Sequence, residues 1–403
     1  MMNKKNILVS IIITLLFSSL SGQNIDSVNK IVKSKTEQML LSDRKLQIGG
    51  YGEVHANKPL SANTENNASL DVHRMVLMFG YNFNQKIQFV SEIEFEHVVE
   101  LYVEQAFLQY RVNEFLQFRA GLVLIPVGII NEIHEPTTFN GVERPLIDNV
   151  LVPTTWREIG FGVTGTILAA KLKYQAYLVN GFNGYDGVSN LNGKNGFRKA
   201  RQKGAESYMS SPNFVAKIDH YGIKGLNIGA SFYFGNTQSV LYDGIEKSDE
   251  VAQSVADSSV VGISLIAADA KYSLGGLRLK GQLYYSQISN TQKYNEFTAK
   301  NNVNNDLGSS MLGFYAELGY NVLKHTKTKA ELIPFARYEQ FDTHASVDAI
   351  TVKNLSYNTT ALTFGLTWKV TQGAVVKTDV LLLKSANDAE FSKVLNIGIG
   401  VSF

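Results

Sequence analysis

"VLNIGIGVSF", residues 394 to 403, alternates with a period of two: Leu395, Ile397, Ile399, Val401 and Phe403 are apolar, and Asn396, Gly398, Gly400 and Ser402 between them are small or polar. Successive side chains of a β-strand point to opposite faces, so this segment reads as a strand with one greasy and one wet side. The pattern returns at Leu226, Ile228, Ala230, Phe232 and Phe234, and again at Leu362, Phe364, Leu366 and Trp368, set against Thr363, Gly365 and Thr367. A greasy face must be covered, either by a second sheet in a soluble sandwich or by lipid around a barrel.

Connection lengths separate these two architectures. Sixteen alternating segments lie between residues 45 and 403, joined by short turns such as Phe83 to Gln85, Gly222 to Lys224 and Thr371 to Gly373. Most of the intervening connections are long and polar, at 57–68, 126–156, 183–212, 236–259, 289–309 and 342–358. Long loops gathered at one end, short turns at the other and an even strand count point to an all-β, transmembrane antiparallel β-barrel of about 16 strands, with external loops and periplasmic turns. Closing the sheet pairs every backbone N–H and C=O and leaves no edge, as hydrocarbon demands. The final residue, Phe403, falls on the apolar face of the last strand, as expected of a barrel delivered to an assembly machinery.

The compartment follows from residues 1–22. Lys4 and Lys5 precede an apolar run from Ile7 to Leu20, and Ser18, Ser19, Ser21 and Gly22 supply small residues, the layout of a signal peptide. Its removal lowers Lys+Arg from 38 to 36, equal to the 36 Asp+Glu, so the mature chain is formally neutral and a nucleic-acid partner lacks electrostatic support. Cysteine is absent, which excludes disulfides, thiolate metal sites and a cysteine nucleophile. The remaining N-terminal segment, 23–44, carries helix-like spacing at Ile25, Val28, Ile31, Val32, Met39 and Leu40, and is expected to be a periplasmic stretch with at most a short helix. Residues 45–403 form the barrel.

With the apolar set facing lipid, the other set lines the lumen. Glu92, Glu94 and Glu96 form an inward column on the third strand, Arg74 and Arg119 point inward on the second and fifth, and Lys171, Lys173 and Arg337 are assigned to the pore lining by the same rule. Lys217, Arg278, Lys280, Lys369 and Lys377 follow them. Inward placement avoids the roughly 2–4 kcal/mol cost of Arg or Lys on the lipid face at mid-membrane. A sixteen-stranded barrel is wide enough for an aqueous channel.

"NEIHEPTTFNGVERPLIDNVLVPTTW", residues 131–156, interrupts the strands with Pro136, Pro145 and Pro153. The prolines stop it from extending the sheet. Its apolar residues are expected to pack on the inner wall, leaving Glu132, His134, Glu135, Glu143, Arg144 and Asp148 to face the passage. Glu132, His134 and Glu135 also invite a metal reading, but no helix fixes their spacing, and they read as a solvated cluster without metal. "NGFNGYDG", 180–187, reads as a Gly/Asn turn rather than a calcium loop. "FRKARQK", 197–203, is expected in the fourth external loop, contacting lipopolysaccharide or attracting anions. His73 and His97 are the histidines a rim hydrolase would need, but no serine motif accompanies them, so no enzyme activity, catalytic residue or cofactor is expected.

Four stretches carry a family resemblance: "LMFGYNFNQKIQFVSEIEFEH" (77–97), "VEQAFLQY" (103–110), "FRAGLVLIPVGIINEIHEPTTFNGVERP" (118–145) and "VPTTWREIGFGVTG" (152–165). Together they resemble the phosphate-selective porin O/P family in its Bacteroidota outer-membrane form. That resemblance implies a homotrimer of sixteen-stranded barrels in the bacterial outer membrane, surrounded by lipid and lipopolysaccharide, whose third external loop folds inward. It further implies passive diffusion of small hydrophilic solutes with a preference for anions such as phosphate. The acidic third strand departs from a dense arginine ladder and tempers the expectation to a mild anion preference. A plugged barrel serving as a structural anchor is the alternative.

Overall fold

The computed structural model describes residues 34–61 and 64–403; the signal-peptide expectation lies outside the described residues. Sixteen strands form the wall: β1 Leu46–Leu60, β2 Ser69–Asn82, β3 Ile87–Glu96, β4 Glu100–Arg111, β5 Gln117–Leu124, β6 Arg157–Ile167, β7 Leu172–Val179 and β8 Asn213–Ile223, then β9 Leu226–Asn236, β10 Gly262–Leu274, β11 Leu277–Ser289, β12 Ser310–Tyr320, β13 Glu331–Ser346, β14 Asn358–Thr371, β15 Ala374–Ser385 and β16 Ser392–Ser402. Each pairs antiparallel with its sequence neighbours, and β16 returns to β1 to close the barrel. The seam runs from Tyr51 opposite Ser402 to Leu60 opposite Lys393, and Gly50 and Phe403 exchange both backbone hydrogen bonds, at 3.1 and 2.9 Å.

Side-chain exposure runs opposite to that of a water-soluble sheet. On β14, Phe364 is 50% and Trp368 45% exposed, whereas Thr363 and Thr367 between the apolar positions are 2% and 0% exposed. On β16, Ile397, Ile399 and Val401 are exposed and Asn396 and Ser402 are buried. The same order holds around the wall, with Phe118, Phe161, Phe232, Leu283, Phe314 and Leu318 all outward. A continuous apolar belt of this extent is far larger than the few hundred Å² a soluble monomer tolerates, and hydrocarbon is the solvent that suits it.

Two β-bulges alter the inner face. The register between β1 and β2 shifts at Glu53/Val54, so that His73 and Arg74 both turn inward opposite Glu53. Between β3 and β4 the register shifts at Glu92/Ile93, and Glu104 and Gln105 are both buried within the wall. A bulge adds one residue to a strand and re-aims its side chains.

The lumen is filled to a degree that strand alternation alone does not foretell. Most of the connection 125–156 is buried, with Asn149 its one exposed residue, and its Ile125, Val127, Ile147, Leu151, Val152 and Trp156 join one apolar cluster with Phe182 and Phe197 of the next external loop. Trp156 stacks on Phe182 with ring centroids 4.5 Å apart, and Phe182 stacks on Phe197 at 5.2 Å. Other external connections carry short helices at Glu250–Ser258 and Thr291–Phe297, and Asn183–Tyr185 pairs in parallel with Gln238–Ser239.

At the short-turn end, Lys35–Leu40 forms a helix, α1, capped by the Ser34 hydroxyl, which accepts from Glu37 N. It lies against the inner wall: the Leu40 carbonyl accepts from Gln88 Nε2 (3.1 Å) and Arg111 (3.0 Å), and Thr36 Oγ1 accepts from Gln105 (2.9 Å). A Cβ on Gly49 would stand 3.1 Å from the Met39 methyl, so the bare glycine makes room for the helix.

Phe364 tests the outward assignment. Phe364→Arg is expected to destabilise the folded barrel in detergent or lipid by about 2–4 kcal/mol, and Phe364→Leu to leave it nearly unchanged, read as the urea midpoint of the heat-modifiable band.

Candidate functional site

Loop 125–156 crosses the lumen and is tied to the wall on every side. At its start, Lys217 Nζ on β8 donates to Gly128 O (2.5 Å) and pairs with Glu132 (3.2 Å), which also accepts from Gln175 on β7 (2.6 Å). Further on, Asn140 donates to Glu317 on β12 (3.0 Å) and Val142 N donates to Asp379 on β15 (2.7 Å). Arg337 on β13 pairs with Glu339 (2.9 Å) and Glu317 (3.4 Å) and donates to the carbonyls of Asn140 and Glu143. Asp148 accepts from Gln282 and Tyr284 on β11, both at 2.8 Å.

A further buried anchor is His134. Its Nε2 lies 2.8 Å from the Tyr51 hydroxyl, 3.4 Å from Glu104 and 3.7 Å from Glu92, and its Nδ1 lies 3.0 Å from Asn131 O. Burial alone would lower the imidazole pKa, but hydrogen bonds and charge from Glu104 and Glu92 outweigh it and hold His134 at about 10. The protonated ring is the counter-ion that lets two carboxylates stay in the wall.

The expectation that the charged residues of the loop face the passage is therefore corrected. His134, Glu135 and Asp148 are buried against the wall, and Glu135 accepts from Lys35 N of α1 at 2.6 Å. These side chains are not solvated, because they take their hydrogen bonds from the wall and from α1 instead of from water. Glu143 and Arg144 do border open space. Lys171 is also corrected: it caps a short turn, Leu168–Ala170, with φ 53° and an exposed side chain, and so lies at the rim rather than on the wall. Lys173 faces inward and pairs with Glu37 of α1. Arg119 reaches across to Gln109 (2.9 Å) and covers the Phe107 ring. Arg74 bridges Glu53 (2.6 Å) and Glu94 (3.3 Å), Glu92 accepts from Tyr51 (2.8 Å) and Gln105 (2.6 Å), and Glu96 borders the same space as Arg144.

That space, of about 140 Å³, lies between the loop and the long-loop ends of β1 to β4. Six cations line it: Arg74, Arg144, Arg157, Arg198, Arg201 and Lys203. Arg74 is neutralised by its two carboxylates, and Arg157 has Glu104 at 3.9 Å. Among the described residues, Arg144, Arg198, Arg201 and Lys203 form no ion pair. Arg144 and Arg201 donate to the carbonyls of His134 (3.2 Å) and Thr154 (2.5 Å), and Lys203 sits 4.5 Å over the Tyr102 ring. Burial first, then the charges of Arg198 and Arg157, pushes the Arg201 pKa down, and the more distant carboxylates of Glu96 and Glu104 offset this only in part.

Sequence reasoning kept "FRKARQK" outside the barrel and did not single out Arg157 or Glu104. The missed signals were local. Two adjacent polar residues within an alternating strand, His73–Arg74 or Glu104–Gln105, mark a bulge, and Phe197 inside a basic run marks the anchor that draws it inward.

An uncharacterized protein of Aquifex aeolicus strain VF5 is 33% identical over 347 residues, covering 83% of this chain and 74% of that protein. The chain belongs to that protein's family. No protein-family model matches the sequence. Among solved structures, the OmpF porin of Salmonella typhi, in a complex with daunomycin, superposes with a TM-score of 0.57 at 13% identity, covering 89% of this chain and 97% of OmpF. An anion-selective porin from Comamonas acidovorans gives 0.55 at 11% identity, covering 89% and 99%. The fold is that of bacterial outer-membrane porins, and with its apolar belt the family member described here is a transmembrane barrel of the outer membrane.

His134 gives a test with a definite sign. Its folded pKa is raised above 6.5, so its contribution to stability is complete below pH 6.5 and is lost as pH rises through about 10. Thermal unfolding from pH 7 to 11 is expected to show this alkaline loss in the wild type and a smaller one in His134→Gln.

Proposed function

We propose that the barrel is a porin that passes small hydrophilic solutes with a mild preference for anions of the inorganic phosphate class. The observation that carries this reading is the cation excess at the lumenal cavity, where six Arg and Lys side chains face Glu53, Glu94, Glu96 and Glu143, and where, among the described residues, Arg144, Arg198, Arg201 and Lys203 form no ion pair. Charges held in a narrow, partly dehydrated passage act on a solute more strongly than the same charges in open water. A small oxyanion entering from the long-loop side meets donors from several directions, and guanidinium groups match its oxygens in pairs. The paired cations on the wall, Arg74 and Arg337, brace the barrel and contribute little net field.

The resemblance of residues 77–165 to the phosphate-selective porin O/P family supports the same solute class and a homotrimeric assembly embedded in lipid and lipopolysaccharide. Loop 125–156 then acts as the constriction, and the pore-lining role belongs to Glu96, Glu143, Arg144 and the basic run rather than to the whole charged set of the inner wall.

A sealed barrel is the second reading, favoured by the depth to which loop 125–156 and α1 fill the lumen. Planar-bilayer recording separates the two. Reconstituted protein is expected to show discrete conductance steps and, in a potassium chloride gradient, a reversal potential of anion-preferring sign. Arg201→Glu combined with Lys203→Glu should move that potential toward cation preference without lowering the heat-modifiable fraction. A cation-selective wild type contradicts the anion reading, and a folded protein without conductance supports the sealed barrel.

A further inference from the structure

Three of the seven histidines, His55, His73 and His97, converge at the long-loop end of β1 to β3. His55 stacks on His73 with ring centroids 4.6 Å apart, and the His97 ring meets His73 edge-on at 5.4 Å. His55 is committed elsewhere, its two ring nitrogens lying 3.3 Å from Glu53 and 3.1 Å from Glu143. The other two aim at one atom: Asp71 Oδ2 lies 3.2 Å from His73 Nδ1 and 2.7 Å from His97 Nδ1.

From this we infer that Asp71, His73 and His97 form a binding site for a divalent cation of the zinc class at the external mouth of the barrel. The donor atoms lie within 4.8 Å of one another. Bonds of about 2.0–2.2 Å in tetrahedral geometry place ligand atoms about 3.3–3.6 Å apart, so the side chains need only small rotations to admit the ion. Two imidazoles and a carboxylate are a donor set suited to zinc, and three protein ligands leave a fourth position for water. All three side chains are half-buried or exposed, so an ion reaches them from the mouth.

The backbone is shaped for this convergence. His73 faces inward only because the β2 bulge places it there beside Arg74. His97 follows β3 in the left-handed region at φ 51°, with Val98 after it at φ 71°. That conformation is uncommon for a β-branched residue and is held only where the surrounding structure imposes it. It turns the His97 ring back over Asp71, while His97 N donates to His73 O at 3.3 Å.

A second triad, Glu92, Glu104 and His134, has similar spacing. It is fully buried, and the Tyr51 hydroxyl already hydrogen-bonds to all three side chains, so it serves as the loop anchor described above. The inference is independent of whether the barrel conducts, and a dication at the mouth would add positive charge beside the basic cavity.

Calorimetric titration of Zn²⁺ into detergent-solubilised, heat-modifiable protein, with any purification tag removed, tests the site. One Zn²⁺ per chain is expected, and Co²⁺ in its place should show the intense visible absorption of a low-coordinate ion. His97→Ala and Asp71→Asn are each expected to weaken zinc binding more than about 100-fold, beyond what loss of an outer-shell partner does. His325→Ala, in a periplasmic turn, should bind as wild type. Absence of zinc uptake by the wild type, unchanged binding in His97→Ala, or binding lost only in His134→Ala would each overturn the assignment.

Discussion

Hydrocarbon offers no partner for a backbone N–H or C=O, and everything else in this molecule follows from that constraint. The chain meets it by closing sixteen strands through the pairing of Gly50 with Phe403 and the ladder that continues to Leu60 and Lys393. Once the sheet is a cylinder, each strand has one lipid face and one inner face, and every charged residue in the wall must go inward. The inner face therefore carries a dense set of ionisable groups in a space with little water. Many of them neutralise one another, as Arg74 does with Glu53 and Glu94, Arg337 with Glu317 and Glu339, and His134 with Glu92 and Glu104, and others, such as Asp148, are held by neutral donors.

Loop 125–156 uses the same logic from the other side. A segment that leaves water for the lumen needs partners for its polar groups: the wall carboxylates Glu339 and Asp379 accept from the backbone N–H of Ile147 and Val142, and Glu317 accepts from the Asn140 side chain. The stack of Trp156, Phe182 and Phe197 then gives the lumen an apolar core of its own, which holds the basic run 197–203 against the loop. Between the loop and the long-loop ends of β1 to β4 lies a small cavity lined by more cations than carboxylates. The functional reading rests on that imbalance, since a fully neutralised cavity would give a solute no reason to prefer one sign.

Period-two alternation made the fold legible. All sixteen wall strands appear in the expected order, with the first and thirteenth running on to Leu60 and Ser346 inside segments read as connections, because a residue that faces lipid cannot be polar without cost. The candidate site was legible only in part. The inward position of Glu92, Glu94 and Arg74 follows from alternation, but that of Glu104 and His73 does not, since a bulge shifts the register by one and reverses the rule beyond it. Lys171 departs from the rule for a related reason: it lies one residue before the start of β7, in a turn where its own φ is positive. The loop prolines announced an interruption, yet whether Glu135 or Asp148 met water or the opposite wall depended on contacts more than a hundred residues away, such as Asp148 with Tyr284. Partners that distant leave no periodic trace in the sequence.

The central claim is that the apolar face of each strand meets lipid while the polar face bounds the lumen. Adjacent residues of β5 give the most direct measurement, because Arg119 faces inward and Ala120 outward, and the chain has no cysteine to confuse the signal. In proteoliposomes, Arg119→Cys should react with a charged, water-soluble thiol reagent and Ala120→Cys only with a lipid-soluble one. The reverse pattern, or equal reaction of both positions with the water-soluble reagent, would contradict the account.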